Sequence, residues 1–205
     1  TRLSIIDLNN ISNQPFRDEH SIIIFNGLIY NYLEIKKKLT KFYNFKTQSD
    51  TEVISAAYSV WKKDCFKYLN GMFSIVIYDL KTKEIIVARD RLGIKPLYYR
   101  QFGGNLYLSS EIKPLLKLGN YRQDFQAIYN YFQYSFYEDV DQTFFEEVKQ
   151  FQPNHYYVIK NNKISSKKCY WDLKKKINTQ KKINSLEEAK NFFSLHFDRV
   201  SDYYS

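Results

Sequence analysis

The chain has 205 residues, 44% hydrophobic and 26% charged, enough for one large domain with an appendage. No apolar run approaches the ~20 residues of a membrane span, and its two cysteines, Cys65 and Cys169, make neither a disulfide framework nor a Cys/His zinc cluster. A net charge of +9 with 18% aromatics invites a nucleic-acid reading, but the lysines are spread along the whole chain, so the charge speaks to solubility more than to a footprint. No nucleic-acid or membrane partner is expected. The opening Thr1-Arg2-Leu3-Ser4 meets Asp7 before any long apolar region, unlike a signal peptide, and the cytoplasm is the default compartment.

Residues 2–8 read as a strand, and a polar loop broken at Asn13-Gln14-Pro15 follows. Ser21-Ile22-Ile23-Ile24-Phe25 is β-branched and too short for a typical helix, so it reads as a strand ending at Asn26-Gly27. An Asn-Gly pair after a strand is ordinarily a turn. The same pair also sets two neutral donors side by side, the Gly27 amide and the Asn26 side-chain NH2, which suits stabilisation of an oxyanion.

Residues 30–39 carry Leu33, Ile35 and Leu39 among charges, the pattern of a surface helix. Ser49-Asp50-Thr51-Glu52 is a capping-box pattern before Val53-Ile54, and predicts a helix start. Asp50 falls in the first turn. Its carboxylate either supports the helix dipole or points outward to a cationic group, and the residues alone favour the first.

Residues 71–80 and 84–89 are strands with successive apolar residues, so both faces are covered. That predicts a central pair of sheets with helices outside. Residues 97–100 and 106–109 form a hairpin around Gly103-Gly104. The charged loop Arg89 to Pro96 is read as structural, its charges pairing with one another. Residues 125–137 look helical, 155–160 and 163–170 read as a strand pair turned at Asn161-Asn162, and 171–184 as a basic connector. A second capping box, Ser185 to Glu188, opens an amphipathic helix reaching residue 200.

Seven motifs then stand in one order: Arg2 to Leu8 with Gln14-Pro15, Asn26-Gly27-Leu28-Ile29-Tyr30-Asn31, Ser49 to Glu52, Gly71-Met72-Phe73, Arg89 to Tyr99, and Ser110-Glu111-Ile112-Lys113. Together they resemble the glutamine-hydrolysing domain of asparagine synthetase, a class II glutamine amidotransferase of the N-terminal-nucleophile hydrolase type. The resemblance is strong from residue 2 to about 118. It continues weakly through Phe144 to Pro153, Tyr170-Trp171 and Arg199 to Asp202.

The resemblance implies an α+β fold, a four-layer αββα sandwich, incomplete at the N-terminus. It implies a partial amidotransferase domain over 1–165, a basic linker over 166–184, and the first helix leading to a synthetase domain over 185–205. In the family an N-terminal cysteine attacks the glutamine amide with its own α-amine as base. Ammonia then passes to the synthetase domain, which makes asparagine from aspartate. The resemblance implies no cofactor in this domain, and ATP with Mg in the synthetase domain. Its implied partners are L-glutamine and that domain, with a homodimer as the assembly of the full-length form.

Carried over by position, Asn26 and Gly27 match the oxyanion donors. Arg2 matches the arginine that pairs with the substrate α-carboxylate, where a planar guanidinium fork fits. Leu3, Ser4, Ile5 and Ile6 match the backbone wall of the pocket, and Asp50 the carboxylate for the α-amino group.

Two positions depart from the family. The register puts the nucleophilic cysteine before Thr1, while Cys65 and Cys169 are mid-chain without a free α-amine, so the chain reads as a piece of a longer protein or the product of a decayed gene. Leu28 stands where the family has a glutamate beside the substrate ammonium, a loss on the order of 1.5–3 kcal/mol. The alternatives are a non-catalytic remnant or interaction module of the same fold, and an amidotransferase with another acceptor. The expectation for the chain alone is no glutaminase activity and a weakened fold, because strands placed before Thr1 would leave apolar sheet surface and an edge exposed.

Overall fold

A computed structural model describes residues 13–135, 141–179 and 183–201, and the chain divides into two units, Thr1–Trp171 and Asp172–Ser205. The strand expected at 2–8 lies outside the described residues. The first unit runs β1 (Phe16–Arg17), β2 (Ser21–Ile29), α1 (Tyr32–Leu39), α2 (Asp50–Trp61), a 3-10 turn (Lys62–Lys67), β3 (Gly71–Asp79) and β4 (Ile85–Arg89). It continues with β5 (Tyr98–Phe102), β6 (Asn105–Ser109), α3 (Ile112–Leu116), α4 (Phe125–Tyr134), β7 (Val148–Gln150), β8 (His155–Lys160) and β9 (Lys163–Cys169). The second unit holds α5 (Leu173–Thr179) and α6 (Leu186–Ser201).

The strands form a six-stranded antiparallel sheet, β1-β2-β3-β4-β8-β9, and a three-stranded one, β6-β5-β7. The two-residue period of a strand sorts the large sheet's side chains between two cores. Ile23 and Phe25 of β2, Ile75 and Ile77 of β3, Ile86 of β4 and Val158 of β8 pack with Ile35 and Leu39 of α1 and Val53, Ile54 and Ala57 of α2. Alternate residues Val87, Tyr157 and Ile159 pack with Leu97 and Phe151, against Tyr99, Leu106 and Leu108 of the small sheet. Covered faces on both sides are what the unbroken apolar runs in β3 and β4 require.

Arg100 alternates with Tyr99 and so faces out of the small sheet, towards α3. Its guanidinium donates to Leu115 O (2.9 Å), Gly119 O (3.2 Å) and Asn120 O, closing the C-terminal end of that helix. Helices, six-stranded sheet, three-stranded sheet and α3 give the four-layer αββα sandwich, an α+β fold.

Local structure departs from expectation at four places. β2 does not stop at Asn26-Gly27: it pairs with β3 without interruption from Ser21↔Asp79 to Ile29↔Gly71. The expected capping box at Ser49 does not close. Ser49 Oγ accepts from Thr51 N (3.1 Å), but Thr47 Oγ1 already occupies Ser49 N (3.1 Å). Glu52 turns instead to Lys46 N (2.9 Å), Thr47 N (2.7 Å) and Thr47 Oγ1 (2.7 Å), and locks the loop before α2. The charged loop is structural, but its charges bind the main chain. Arg89 donates to Lys95 O (2.9 Å), Phe151 O (2.5 Å) and Gly93 O (2.7 Å), while Asp90 accepts from Leu92 N, Ile94 N and Lys95 N at 2.9–3.0 Å. Within the stretch read as a basic linker over 166–184, the first residues complete β9 and 173–179 form α5.

Candidate active site

The ladder between β2, β3 and β4 decides which way each β2 amide faces. Phe73 of β3 donates its N–H to Asp90 Oδ2 (3.1 Å) and accepts Asp90 N–H (2.8 Å). Both of its main-chain groups therefore turn towards β4, and the opposed pair Gly27↔Phe73 is a non-hydrogen-bonded one. Alternation then directs the N–H groups of Phe25, Gly27 and Ile29 off the opposite edge of β2. There Phe25 N donates to Gln14 Oε1 (2.7 Å) and Ile29 N to Asp50 Oδ2 (3.2 Å). The Gly27 amide lies between these two anchored positions, about 7 Å along the strand from each.

Only glycine fits at 27. Its φ is +149°, and a Cβ there would sit 2.0 Å from Met72 O. Gly71 is the counterpart on β3, where a Cβ would sit 2.2 Å from Leu28 O. The pair lets β2 and β3 approach closely at the site and holds the Gly27 peptide in a conformation other residues resist.

Asn26 sends its side chain to the sheet face opposite Phe25, the face shared with Ile24 and Leu28. It is half-buried, and its Nδ2 donates to Ser110 Oγ (3.5 Å), which stands between β6 and α3. Leu28 is half-buried opposite Met72.

Asp50 is buried, with 5% of its surface exposed, and its carboxylate turns inward to the β2 edge, not outward from the helix start. The structure thus brings Asn26, Gly27, Leu28 and Asp50 to one end of β2. Arg2, Leu3, Ser4, Ile5 and Ile6 lie outside the described residues. Sequence reasoning missed three supports: Gln14, Asp90 and Ser110. Each sits in a motif quoted above, but nothing in local spacing says that Gln14 reaches Phe25, Asp90 reaches Phe73 or Ser110 reaches Asn26.

Neither cysteine belongs to this arrangement. Cys65 is fully buried, and that burial pushes its thiol well above the ordinary range, which suppresses the reactive thiolate. Cys169 closes β9, four strand spacings from β2, or about 19 Å at ~4.8 Å each. Among the described residues no group of three or more His, Cys, Asp or Glu side chains could hold a metal ion.

A cleft of about 800 Å³ lies elsewhere, lined by Phe16, Arg17, Asp18, Tyr43, Lys46 and Glu52 among others, and by none of the four residues gathered at β2. Two of its acids, Asp18 and Glu52, are already engaged. Burial alone would raise the Asp18 carboxyl, but hydrogen bonds from Ser55 Oγ, His20 N, Ser21 N and the Tyr43 hydroxyl together outweigh it and lower it. Glu52 is committed to Lys46 and Thr47.

Comparison with known proteins matches a glutamine amidotransferase domain family over residues 1–171. The chain is 35% identical over 189 residues to Amidase chry2 of Gibberella zeae, covering 91% of this chain and 28% of that protein. It is 38% identical over 174 residues to Asparagine synthetase [glutamine-hydrolyzing] 1 of Bacillus subtilis, covering 83% of this chain and 27% of that one. The chain thus spans just over a quarter of the length of these relatives. Among solved structures, the glutamine phosphoribosylpyrophosphate amidotransferase of B. subtilis shares the fold. Its TM-score is 0.57 at 18% identity, covering 80% of this chain and 33% of that one.

Proposed function

The chain belongs to the glutamine amidotransferase domain family, and on that premise we propose that it is the ammonia-supplying part of an ATP-dependent asparagine synthetase, which hydrolyses glutamine and converts aspartate to asparagine. Relatives from two organisms that carry the asparagine synthetase name support this reading. The observation that carries it is the edge of β2, where the Gly27 amide stands between Phe25, anchored by Gln14, and Ile29, anchored by Asp50, and where the preceding residue, Asn26, has its Nδ2 bonded to Ser110 Oγ.

When a nucleophile attacks the glutamine side-chain amide, negative charge gathers on the carbonyl oxygen and the C–N bond breaks to release ammonia. Two fixed, neutral donors facing that oxygen lower the barrier without having to reorganise, and one such donor is typically worth about 10²–10³ in rate. Asn26 and Gly27 take this role. Asp50 receives the substrate α-ammonium from the buried side of the site. Arg2 pairs with the α-carboxylate, and Leu3, Ser4, Ile5 and Ile6 wall the pocket. Leu28 gives that wall an apolar surface beside the donors. The nucleophile is neither Cys65 nor Cys169. The synthetase domain of the whole protein receives the ammonia and holds ATP and Mg; the cytoplasm is its compartment and a homodimer its assembly.

Two assays on the purified 205-residue chain test this. L-Glutamine binds while D-glutamine does not, and ammonia release stays at the level of a no-protein control. Binding that ignores the stereocentre would remove the Arg2–Asp50 clamp, and ammonia release above control would show that the chain carries its own nucleophile.

A further inference from the structure

The Asn26 side chain ends in two N–H bonds, and a donor group that rotates freely offers little to a developing oxyanion, because its orientation must be fixed at the moment of reaction. One of those bonds is already engaged. Asn26 Nδ2 donates to Ser110 Oγ at 3.5 Å, across 84 residues of sequence and across the gap between the two sheets. Catalytic hydrogen bonds in a ligand-free site are often long and tighten when substrate arrives.

Ser110 is itself held from both sides. Before it, Ser109 is registered opposite Tyr98 in the β5–β6 ladder, and its Oγ accepts from Glu111 N (3.1 Å), which fixes the bend around Ser110. After it, α3 is pinned at its far end by the buried Arg100 guanidinium on Leu115 O and Gly119 O. The hydroxyl is presented on a rigid segment of the small sheet, the kind of support that keeps a site group within a fraction of an ångström of its working position.

We propose that Ser110 is a positioning residue for Asn26: its Oγ accepts one Nδ2 hydrogen and fixes the plane of the amide, so that the second hydrogen is directed at the substrate carbonyl oxygen beside the Gly27 N–H. The proposal rests on the reading of Asn26 and Gly27 as oxyanion donors. It gives the three-stranded sheet a part in the site, which is complete only where the two sheets meet.

The test uses the full 15N-labelled chain, with the Asn26 side-chain NH2 resonances identified by their loss in Asn26→Asp. Without ligand, the wild-type chain shows a nuclear Overhauser contact between Asn26 Nδ2 hydrogens and Ser110 Hβ, with slow solvent exchange at one of the two hydrogens. Ser110→Ala speeds that exchange at least about tenfold and Ser110→Thr restores it, with thermal midpoints unchanged. With saturating L-glutamine, the Asn26 NH2 resonances shift in the wild type and in Ser110→Thr. In Ser110→Ala that shift is lost although glutamine binds within about twofold of wild-type affinity, a separation that a merely structural serine would not produce. Absence of the wild-type Overhauser contact overturns the proposal even if the alanine variant fails to fold. An undiminished Asn26 shift in Ser110→Ala, or equal damage from threonine and alanine, also overturns it. Glutamine that binds without touching Asn26 in the wild type overturns the donor reading instead, while the ligand-free contact stands or falls separately.

Discussion

At the scale of single residues, Gly27 and Asp50 do different work and should fail differently. A Cβ at Gly27 meets Met72 O at 2.0 Å with φ at +149°, so backbone must move. Gly27→Ala should cost about 2–4 kcal/mol of stability, combining overpacking with backbone strain, as read by urea unfolding. A cost under about 0.5 kcal/mol would mean that β2 and β3 are not packed so closely. Asp50→Asn keeps an oxygen for the Ile29 N–H and removes the charge. It should leave unfolding nearly unchanged and weaken L-glutamine binding by about 1.5–3 kcal/mol, the range of a charged hydrogen bond. Equal affinity in the two proteins would take Asp50 out of the substrate site.

The elements divide by how local their causes are. β3 and β4 were legible because a run such as Phe73 to Ile77 has one economical solution, a strand buried on both faces. The β5–β6 hairpin was legible because Gly103 and Gly104 supply the positive φ values, +57° and +78°, that its turn needs. The far end of β2 was not legible. Asn26-Gly27 carries a turn signal, and only Gly71 on a strand far along the chain makes room for it to stay extended. Ser49 and Glu52 matched a capping box, but Thr47 offered both a closer partner, a competition that no spacing rule records. Family resemblance singled out Asn26, Gly27, Leu28 and Asp50, which the fold gathers at one end of β2, and Arg2 to Ile6, which lie outside the described residues; the supports at Gln14, Asp90 and Ser110 were hidden by sequence distance.

The tie between the β1–β2 turn and α2 makes a prediction at this same scale. The Asp18 carboxyl is lowered in the folded chain, so its contribution is present above the ordinary carboxylate range and is lost as pH falls through its folded value. Ser55→Ala removes its short bond to Asp18 (2.5 Å) and should move the acid unfolding midpoint to higher pH. An unmoved midpoint would mean that the cluster carries no acid sensitivity. At the alkaline side, burial raises Tyr157 to about 12, so its contribution is present below about 10 and fades as pH rises towards 12. Tyr58, buried and bonded to Asp79 Oδ2 (2.8 Å), is raised in the same direction. Circular dichroism across pH 9–12 should show stability falling, and a flat profile would contradict these buried hydroxyls.

On the scale of the whole molecule, the sandwich is unevenly covered. The small sheet covers Val87, Tyr157 and Ile159, but Ile24 on the corresponding face of β2 is 55% exposed. We expect the isolated chain to bind a hydrophobic dye there and to associate at high concentration, and Ile24→Lys to reduce both without loss of fold. A sharp cooperative melt of a monomer with no dye binding would contradict a weakened sandwich. The central claim, that this sandwich presents a glutamine site at the edge of β2, is tested most directly by titrating L-glutamine into the 15N-labelled chain. A glutamine site there should give saturable shifts at the Gly27 and Ile29 amides and the Asn26 side chain, absent with D-glutamine and weakened in Asp50→Asn. Shifts confined to the cleft around Tyr43 and Lys46, or no saturable shift at all, would contradict it.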